Sequence, residues 1–152
     1  MSSLDLVFQY RTLVGKCESG VGLDFDEIDL LTRIEAAFAP TEEARDDRRF
    51  RRVAVEMEAM VRGGDLNDKV VLSELAPGGL VVRQAPYIDE GMQIEVVIDD
   101  PDADLSYRFK ARVQWLREDV HDDFALGLEL IGVPVLIHYG PVPVVESDRI
   151  AA

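Results

Sequence analysis

Cysteine is almost absent from this chain, since Cys17 is the only one among 152 residues. A single thiol excludes an internal disulfide, and it also excludes the thiolate-rich zinc sites that need several cysteines. Long apolar runs are absent as well, because no stretch approaches the roughly 18 consecutive apolar residues of a membrane helix. The first residues lack a basic region followed by an apolar stretch, so we expect a soluble, cytoplasmic protein without membrane insertion.

Positive charge is scarce, with 16 Lys and Arg residues against 30 Asp and Glu residues and a formal net charge of -14. Such a surface repels polyanions, which disfavours nucleic acid polymers and anionic membranes as the main partners. Hydrophobic residues make up 47% of the chain. The composition therefore predicts one ordinary domain with a buried core and a small appendage.

The usual signatures of catalysis and metal binding are missing. The sequence contains neither a GxSxG elbow nor a P-loop, and His121 and His138 have no partner at ligand spacing. The aspartates of residues 99–104 begin like a calcium loop, but Leu105 and Ala111 stand where that loop needs Gly and Glu. We therefore expect a solvated hairpin loop there, no metal site and no enzyme.

Two helices are predicted before Pro40. Residues 25–38 carry apolar side chains at nearly helical spacing, with Asp24 as N-cap and Glu27 completing a capping box. A shorter helix is predicted over residues 4–14. About forty residues cannot bury enough surface to fold alone, so the hairpin must dock. Packing on one end of the remaining domain and self-association into a homodimer both stay open. The stripe expected to be buried is Phe25, Ile28, Leu31, Ile34 and Phe38.

After Pro40 the hydrophobic spacing changes to period two, which is typical of half-buried strands. On this pattern Phe109 and Trp115 share one face of a strand, which favours core or cross-strand packing for both. Six short strands without intervening helices predict a mainly β fold, an antiparallel barrel or sandwich. The predicted strands cover residues 53–61, 70–74, 80–83, 92–98, 107–116 and 124–130.

Three regions are therefore expected: a helical appendage over residues 1–40, the barrel over 41–132 and an extended tail over 133–152. The tail is apolar but contains Pro134, Pro141 and Pro143. Because proline removes a ladder donor, an edge segment packed on the barrel is favoured over a central strand. A strand that docks a partner is the alternative.

Five arginines fall within residues 45–52 of this acidic chain, and RRFRR closes the run at residues 48–52. Considered by itself, such a run neutralises neighbouring acids. Together with the following strand and the Gly-Gly corner of ELAPGG, it resembles the PilZ domain family, which carries RxxxR before its first strand and [DN]xSxxG at the end of its second. Arg48, Arg52 and Gly79 match; Glu74 replaces Asp or Asn, and Ala76 replaces Ser.

The resemblance implies a six-stranded antiparallel barrel with the helical hairpin attached, acting as a non-catalytic receptor for cyclic di-GMP with no other cofactor. The alternative is a degenerate PilZ scaffold that binds no nucleotide and regulates an unidentified protein partner, such as motility or pilus machinery. The ligand-binding residues implied are Arg48, Arg49, Arg52, Glu74, Ala76, Gly78 and Gly79.

Overall fold

The computed structural model describes residues 2–40, 50–100 and 103–138. Two α-helices come first, and six strands follow, with one 3₁₀ turn at Val120–Asp122 before the last strand. The helices are α1 (Ser3–Glu18) and α2 (Phe25–Ala37), and the strands are β1 (Val53–Gly63), β2 (Leu66–Ala76), β3 (Gly79–Ala85), β4 (Gln93–Asp100), β5 (Leu105–Glu118) and β6 (Phe124–His138).

The six strands form a closed antiparallel barrel in the order β1-β2-β3-β6-β5-β4. The seam that closes it is short, because β1 and β4 pair only where Met60, Val61 and Arg62 face Val97, Val96 and Glu95. The predicted six-stranded antiparallel barrel is therefore confirmed. The inward side chains alternate along each strand, and the fully buried ones include Val61, Leu72, Val82, Val96, Phe109 and Leu126.

Helix α1 completes this core. Its side chains Leu4, Val7, Tyr10 and Leu13 belong to the same buried cluster as the barrel interior. Phe8 packs edge-on against Tyr107, with ring centroids 5.6 Å apart. Of the two modes of docking left open by the sequence, packing against the barrel is the one that the structure shows for α1.

A buried arginine holds α1 on β6. The Arg11 side chain donates to the carbonyl oxygens of Gly132, at 2.8 Å, and Leu130, at 3.2 Å. The ladder between β5 and β6 is irregular opposite these residues, since Lys110 pairs with Ile131 but Arg108 pairs with Val135. Arg11 thus satisfies the buried Leu130 carbonyl and also binds the carbonyl of exposed Gly132, while burial lowers the pKa of its guanidinium from the ordinary value.

Helix α2 begins as its sequence predicts. The Asp24 side chain accepts from the Glu27 amide and the Glu27 side chain from the Asp24 amide, so the capping box is formed. Burial of the apolar stripe is incomplete, however. Ile34 and Phe38 are 1% and 2% exposed, but Phe25 and Ile28 are 90% and 48% exposed. Within this chain only the C-terminal half of α2 reaches the core, so burial of Phe25 and Ile28 across a dimer interface stays a prediction.

Strand β6 is longer than its prediction. It continues through the irregular segment at Gly132 to His138, which faces Leu105 of β5. The region expected as an extended tail over residues 133–152 therefore begins inside the sheet, where residues 133–138 form the kind of edge segment that the sequence favours. Residues 135–138 pair with β5, whereas the pairing of β6 with β3 ends at Glu129. Pro134 accordingly lies on a sheet edge, where a missing amide donor is tolerated. Residues 139–152 lie outside those described.

Neither α1 nor α2 combines the length and the apolar character of a membrane-spanning helix.

Candidate ligand-binding site

The corner between β2 and β3 forms one wall of the site. Ala76 pairs with Gly79, and Pro77 and Gly78 make the turn between them. The Gly78 carbonyl accepts from the Leu130 amide at 3.0 Å, which ties the turn to β6. A Cβ on Gly79 would lie 2.7 Å from the Leu128 carbonyl oxygen. Gly79 is therefore required by the close approach of two backbones.

A surface pocket of about 190 Å³ opens at this corner. It collects residues from β2, β3, β5 and β6, together with the segment that leads into β1. Five of the seven residues implied by the family resemblance line it: Arg52, Glu74, Ala76, Gly78 and Gly79. The remaining lining residues are Phe50, Leu75, Leu80, Val81, Gln114, Trp115, Gly127 and Leu128.

Arg52 and Glu74 bring opposite charges to the pocket. Arg52 is exposed and Glu74 half-buried, and neither forms an ion pair or a side-chain hydrogen bond within the part of the chain that is described. The register of β2 against β3 shifts between Leu72 and Glu74, and the intervening Ser73 donates its hydroxyl to the Val81 carbonyl at 3.2 Å. The guanidinium and carboxylate groups are thus both available to a ligand.

Three arginines of the cluster cannot be placed. Arg45, Arg48 and Arg49 lie outside the described residues. The predicted contribution of Arg48 and Arg49 therefore stays a prediction, while of the two described arginines in RRFRR, Arg51 and Arg52, it is Arg52 that lines the pocket.

Trp115 packs across the strands on Gly127, one of the two expectations, but it does not share the core face with Phe109. Phe109 is fully buried as expected, but Trp115 is only half-buried and lines the pocket. The cause is a bulge in β5, because Val113 pairs with Leu128 and Trp115 pairs with Gly127, the residue before Leu128 in β6. The extra residue, Gln114, changes the parity of the strand, so that Trp115 no longer faces the core with Phe109 and Val113.

Gly127 makes room for the indole. A Cβ at this position would lie only 2.0 Å from Trp115 Nε1 and 2.1 Å from Cε2. The Arg117 guanidinium also stands 4.4 Å from the centre of the Trp115 ring, within cation–π range. The indole is therefore held by its neighbours as an aromatic wall of the pocket.

Sequence reasoning also missed Phe50 and Gln114. Phe50 sits between arginines in RRFRR, and its ring packs edge-on against Tyr10 of α1 at 5.3 Å. Gln114 Nε2 donates to Glu129 Oε2 at 3.1 Å. An aromatic residue inside an arginine run was a visible signal for Phe50, whereas no local signal marked the bulge at Gln114.

The sequence matches the PilZ domain over residues 46–135, which is more than half of the chain. The chain belongs to the PilZ domain family. The match covers the end of the arginine cluster, the Gly-Gly corner and nearly all of the barrel, but it leaves out the helical hairpin. A comparison with curated proteins finds no match.

Two solved structures are similar to the PilZ chain. The inhibitor of motility MotI/DgrA from Bacillus subtilis aligns with a TM-score of 0.50 at 16% identity, over 62% of this chain and 48% of its own. PlzA from Borreliella burgdorferi, solved in complex with c-di-GMP, aligns with a TM-score of 0.40 at 14% identity, over 72% and 43%. This chain thus spans about half the length of the MotI/DgrA chain, and at these identities the likeness concerns the fold.

Proposed function

We propose that this PilZ protein is a non-catalytic cytoplasmic adaptor that binds cyclic di-GMP at the pocket between the arginine cluster and the Gly-Gly corner. The observation that carries the proposal is the convergence of Arg52, Glu74 and Gly79 on one open pocket, although Arg52 and Glu74 are 22 residues apart in sequence. The family match makes a cyclic dinucleotide the first ligand to test.

The chemistry of the pocket suits a guanine nucleotide. An arginine fork can donate two hydrogen bonds to the O6 and N7 acceptors of guanine, or bridge phosphate oxygens. The Glu74 carboxylate accepts only, so it complements the N–H donors on the other edge of the base. The half-exposed indole of Trp115 adds an apolar surface against which a purine can pack.

The size of the pocket fits part of a dinucleotide. Its volume of about 190 Å³ lies below the roughly 300–1,000 Å³ of complete small-molecule sites. The described walls therefore hold one portion of the ligand, and we propose that Arg48 and Arg49 cover the rest. Two arginines four positions apart, Arg48 and Arg52, would then contact the ligand from separate points.

Calorimetric titration with cyclic di-GMP tests this function, and Trp115 provides a second readout because it is the only tryptophan in the chain. Arg52→Ala is expected to weaken binding by about 1.5–3 kcal/mol, the range for hydrogen bonds to charged groups, or roughly 10- to 150-fold. Arg48→Ala is expected to lose a similar amount.

Arg33→Ala is the matched control, since Arg33 lies on the exposed face of α2 and pairs with Asp29 at 3.3 Å. Its affinity should equal that of the parent. The parent is titrated with cyclic di-GMP and, for comparison, with cyclic di-AMP. Absence of saturable binding of cyclic di-GMP by the parent would overturn the proposal. Binding that Arg52→Ala leaves unchanged would remove the site assignment.

The two departures from the family motif set a second test of the same pocket. Glu74 carries one more methylene than Asp, and Ala76 has no hydroxyl to donate. Restoring both in Glu74→Asp with Ala76→Ser is expected to tighten binding by about 0.5–1.5 kcal/mol, the net value of one hydrogen bond. No gain in the double variant would show that these positions do not limit affinity.

A second candidate function is a PilZ scaffold that regulates a protein partner, in motility or pilus assembly, without nucleotide. The observation that favours it is an exposed apolar surface on the hairpin, where Val21, Phe25 and Ile28 are 70%, 90% and 48% exposed. This surface is also where a homodimer would form. If the protein acts as such a scaffold, we expect no binding of cyclic di-GMP. A Phe25→Asp variant should stay folded but lose regulation of the partner or, if the surface forms a homodimer, lose dimerisation in sedimentation.

A further inference from the structure

The arginine segment is attached to the last turn of α2. The Arg51 amide donates to the Phe38 carbonyl at 2.7 Å, and the Arg51 guanidinium donates to the Ala37 carbonyl at 3.0 Å. The final carbonyls of a helix have no partner within the helix, and the C-terminus favours positive charge. Arg51 therefore supplies α2 with a cap from outside the helix, directly beside Arg52.

A second attachment joins the same segment to α1. The Phe50 ring packs on Tyr10 with centroids 5.3 Å apart and an interplanar angle of 76°. Tyr10 is 6% exposed and belongs to the core shared with the barrel, while Phe50 lines the pocket. Residues 50 and 51 are thus held by the two helices of the hairpin, and residue 52 faces the ligand pocket.

We infer that Arg51 and Tyr10 are positioning residues of the nucleotide site and that the hairpin is part of that site. This inference rests on the proposed binding of cyclic di-GMP. The hairpin lies outside the region that matches the family, yet it contacts Phe50 and Arg51, which directly precede Arg52 and the start of β1. These contacts also join the helical appendage of residues 1–40 to the site that the sequence places in the barrel region of residues 41–132.

Thermodynamic linkage gives the coupling a direction that can be measured. If a docked hairpin strengthens nucleotide binding, bound nucleotide must stabilise the docked hairpin by the same factor. Amide hydrogen exchange in α2 should therefore slow when cyclic di-GMP is added. Because α2 also carries exposed Phe25 and Ile28, the ligand would act on the surface where a partner can bind.

The test is a double-mutant cycle on cyclic di-GMP affinity with Arg51→Ala, Arg52→Ala and the double variant. Arg51→Ala alone is expected to weaken binding about 3- to 10-fold, the loss of one hydrogen bond that orders the segment. In the Arg52→Ala background the same change should cost less than about twofold, because Arg51 acts through Arg52. Arg51→Lys should restore part of the affinity, since an ammonium group can still donate to the Ala37 carbonyl.

Tyr10→Leu examines the second attachment while it keeps an apolar side chain in the core. It should weaken nucleotide binding and raise hydrogen exchange at residues 50–53, with the thermal transition showing that the barrel is folded. Arg33→Ala on the exposed side of α2 is the control and should change neither quantity.

The outcomes separate the two proposals. Lack of saturable binding by the parent overturns the proposed function, and this inference with it. Normal binding by the parent together with unchanged affinity in Arg51→Ala overturns this inference alone. Losses that add in the double variant would show that Arg51 contacts the ligand independently, which also contradicts a positioning role.

Discussion

Two adjacent glycines offer a sharp test of how the site is built. Gly78 and Gly79 both line the pocket, and their sequence positions do not distinguish them. The structure does, because a Cβ on Gly79 would lie 2.7 Å from the Leu128 carbonyl oxygen, while a Cβ on Gly78 would meet no atom within 4 Å. The φ angle of Gly78 is also not positive.

The magnitude follows from the distance. Ordinary contact begins at 3.4 Å, so alanine at residue 79 requires β3 and β6 to separate by up to about 0.7 Å, since the atom in the way belongs to backbone. Overpacking of this kind costs about 1–3 kcal/mol. Gly78→Ala meets no such obstacle, and the reduced entropy of the unfolded chain should leave it neutral or up to about 1 kcal/mol more stable.

Urea unfolding followed by circular dichroism measures both variants against the parent, with the free energy of unfolding taken by linear extrapolation. The expected result is a loss of stability in Gly79→Ala and none in Gly78→Ala, with similar denaturant slopes. Equal stabilities for the two variants would refute the reasoning, because they would show that β3 and β6 are not held as close at residue 79 as the pocket geometry requires.

Three further predictions concern the pocket wall, the α1 anchor and the core. Gly127→Ala should push the indole of Trp115 outward and shift its fluorescence emission to longer wavelength; unchanged emission would contradict the close approach of that indole to the Gly127 backbone. Arg11→Met should lower the free energy of unfolding in urea by about 1–3 kcal/mol by removing the donor to the buried Leu130 carbonyl, a loss that exposed Arg33→Met should not show. Burial, aided by Asp5, raises the pKa of Tyr107 to about 12. The contribution of the Tyr107 hydroxyl to stability should therefore be complete below about pH 10 and lost as pH rises toward 12. Urea unfolding measured against pH should show this loss in the parent and not in Tyr107→Phe.

The sequence by itself determined the elements of this protein and part of its site. The capping box of Asp24 and Glu27 and the period-two alternation of the six strands are local patterns, so they specify elements without knowledge of the partners. RxxxR and the Gly-Gly corner are local sequence patterns as well. They placed Arg52, Glu74, Ala76 and Gly79 at one pocket because each adjoins a strand end that the fold brings together.

Only the tertiary structure decided the rest, because the deciding contacts join residues far apart in the chain. Alternation predicts which way Trp115 faces only while the register is unbroken, and the bulge at Gln114 depends on the partner strand β6. Arg11 reaches carbonyls 119 and 121 residues away, and Arg51 caps a helix that ended before the arginine cluster began. No local pattern encodes these contacts, since burial and backbone irregularity arise only when the elements pack.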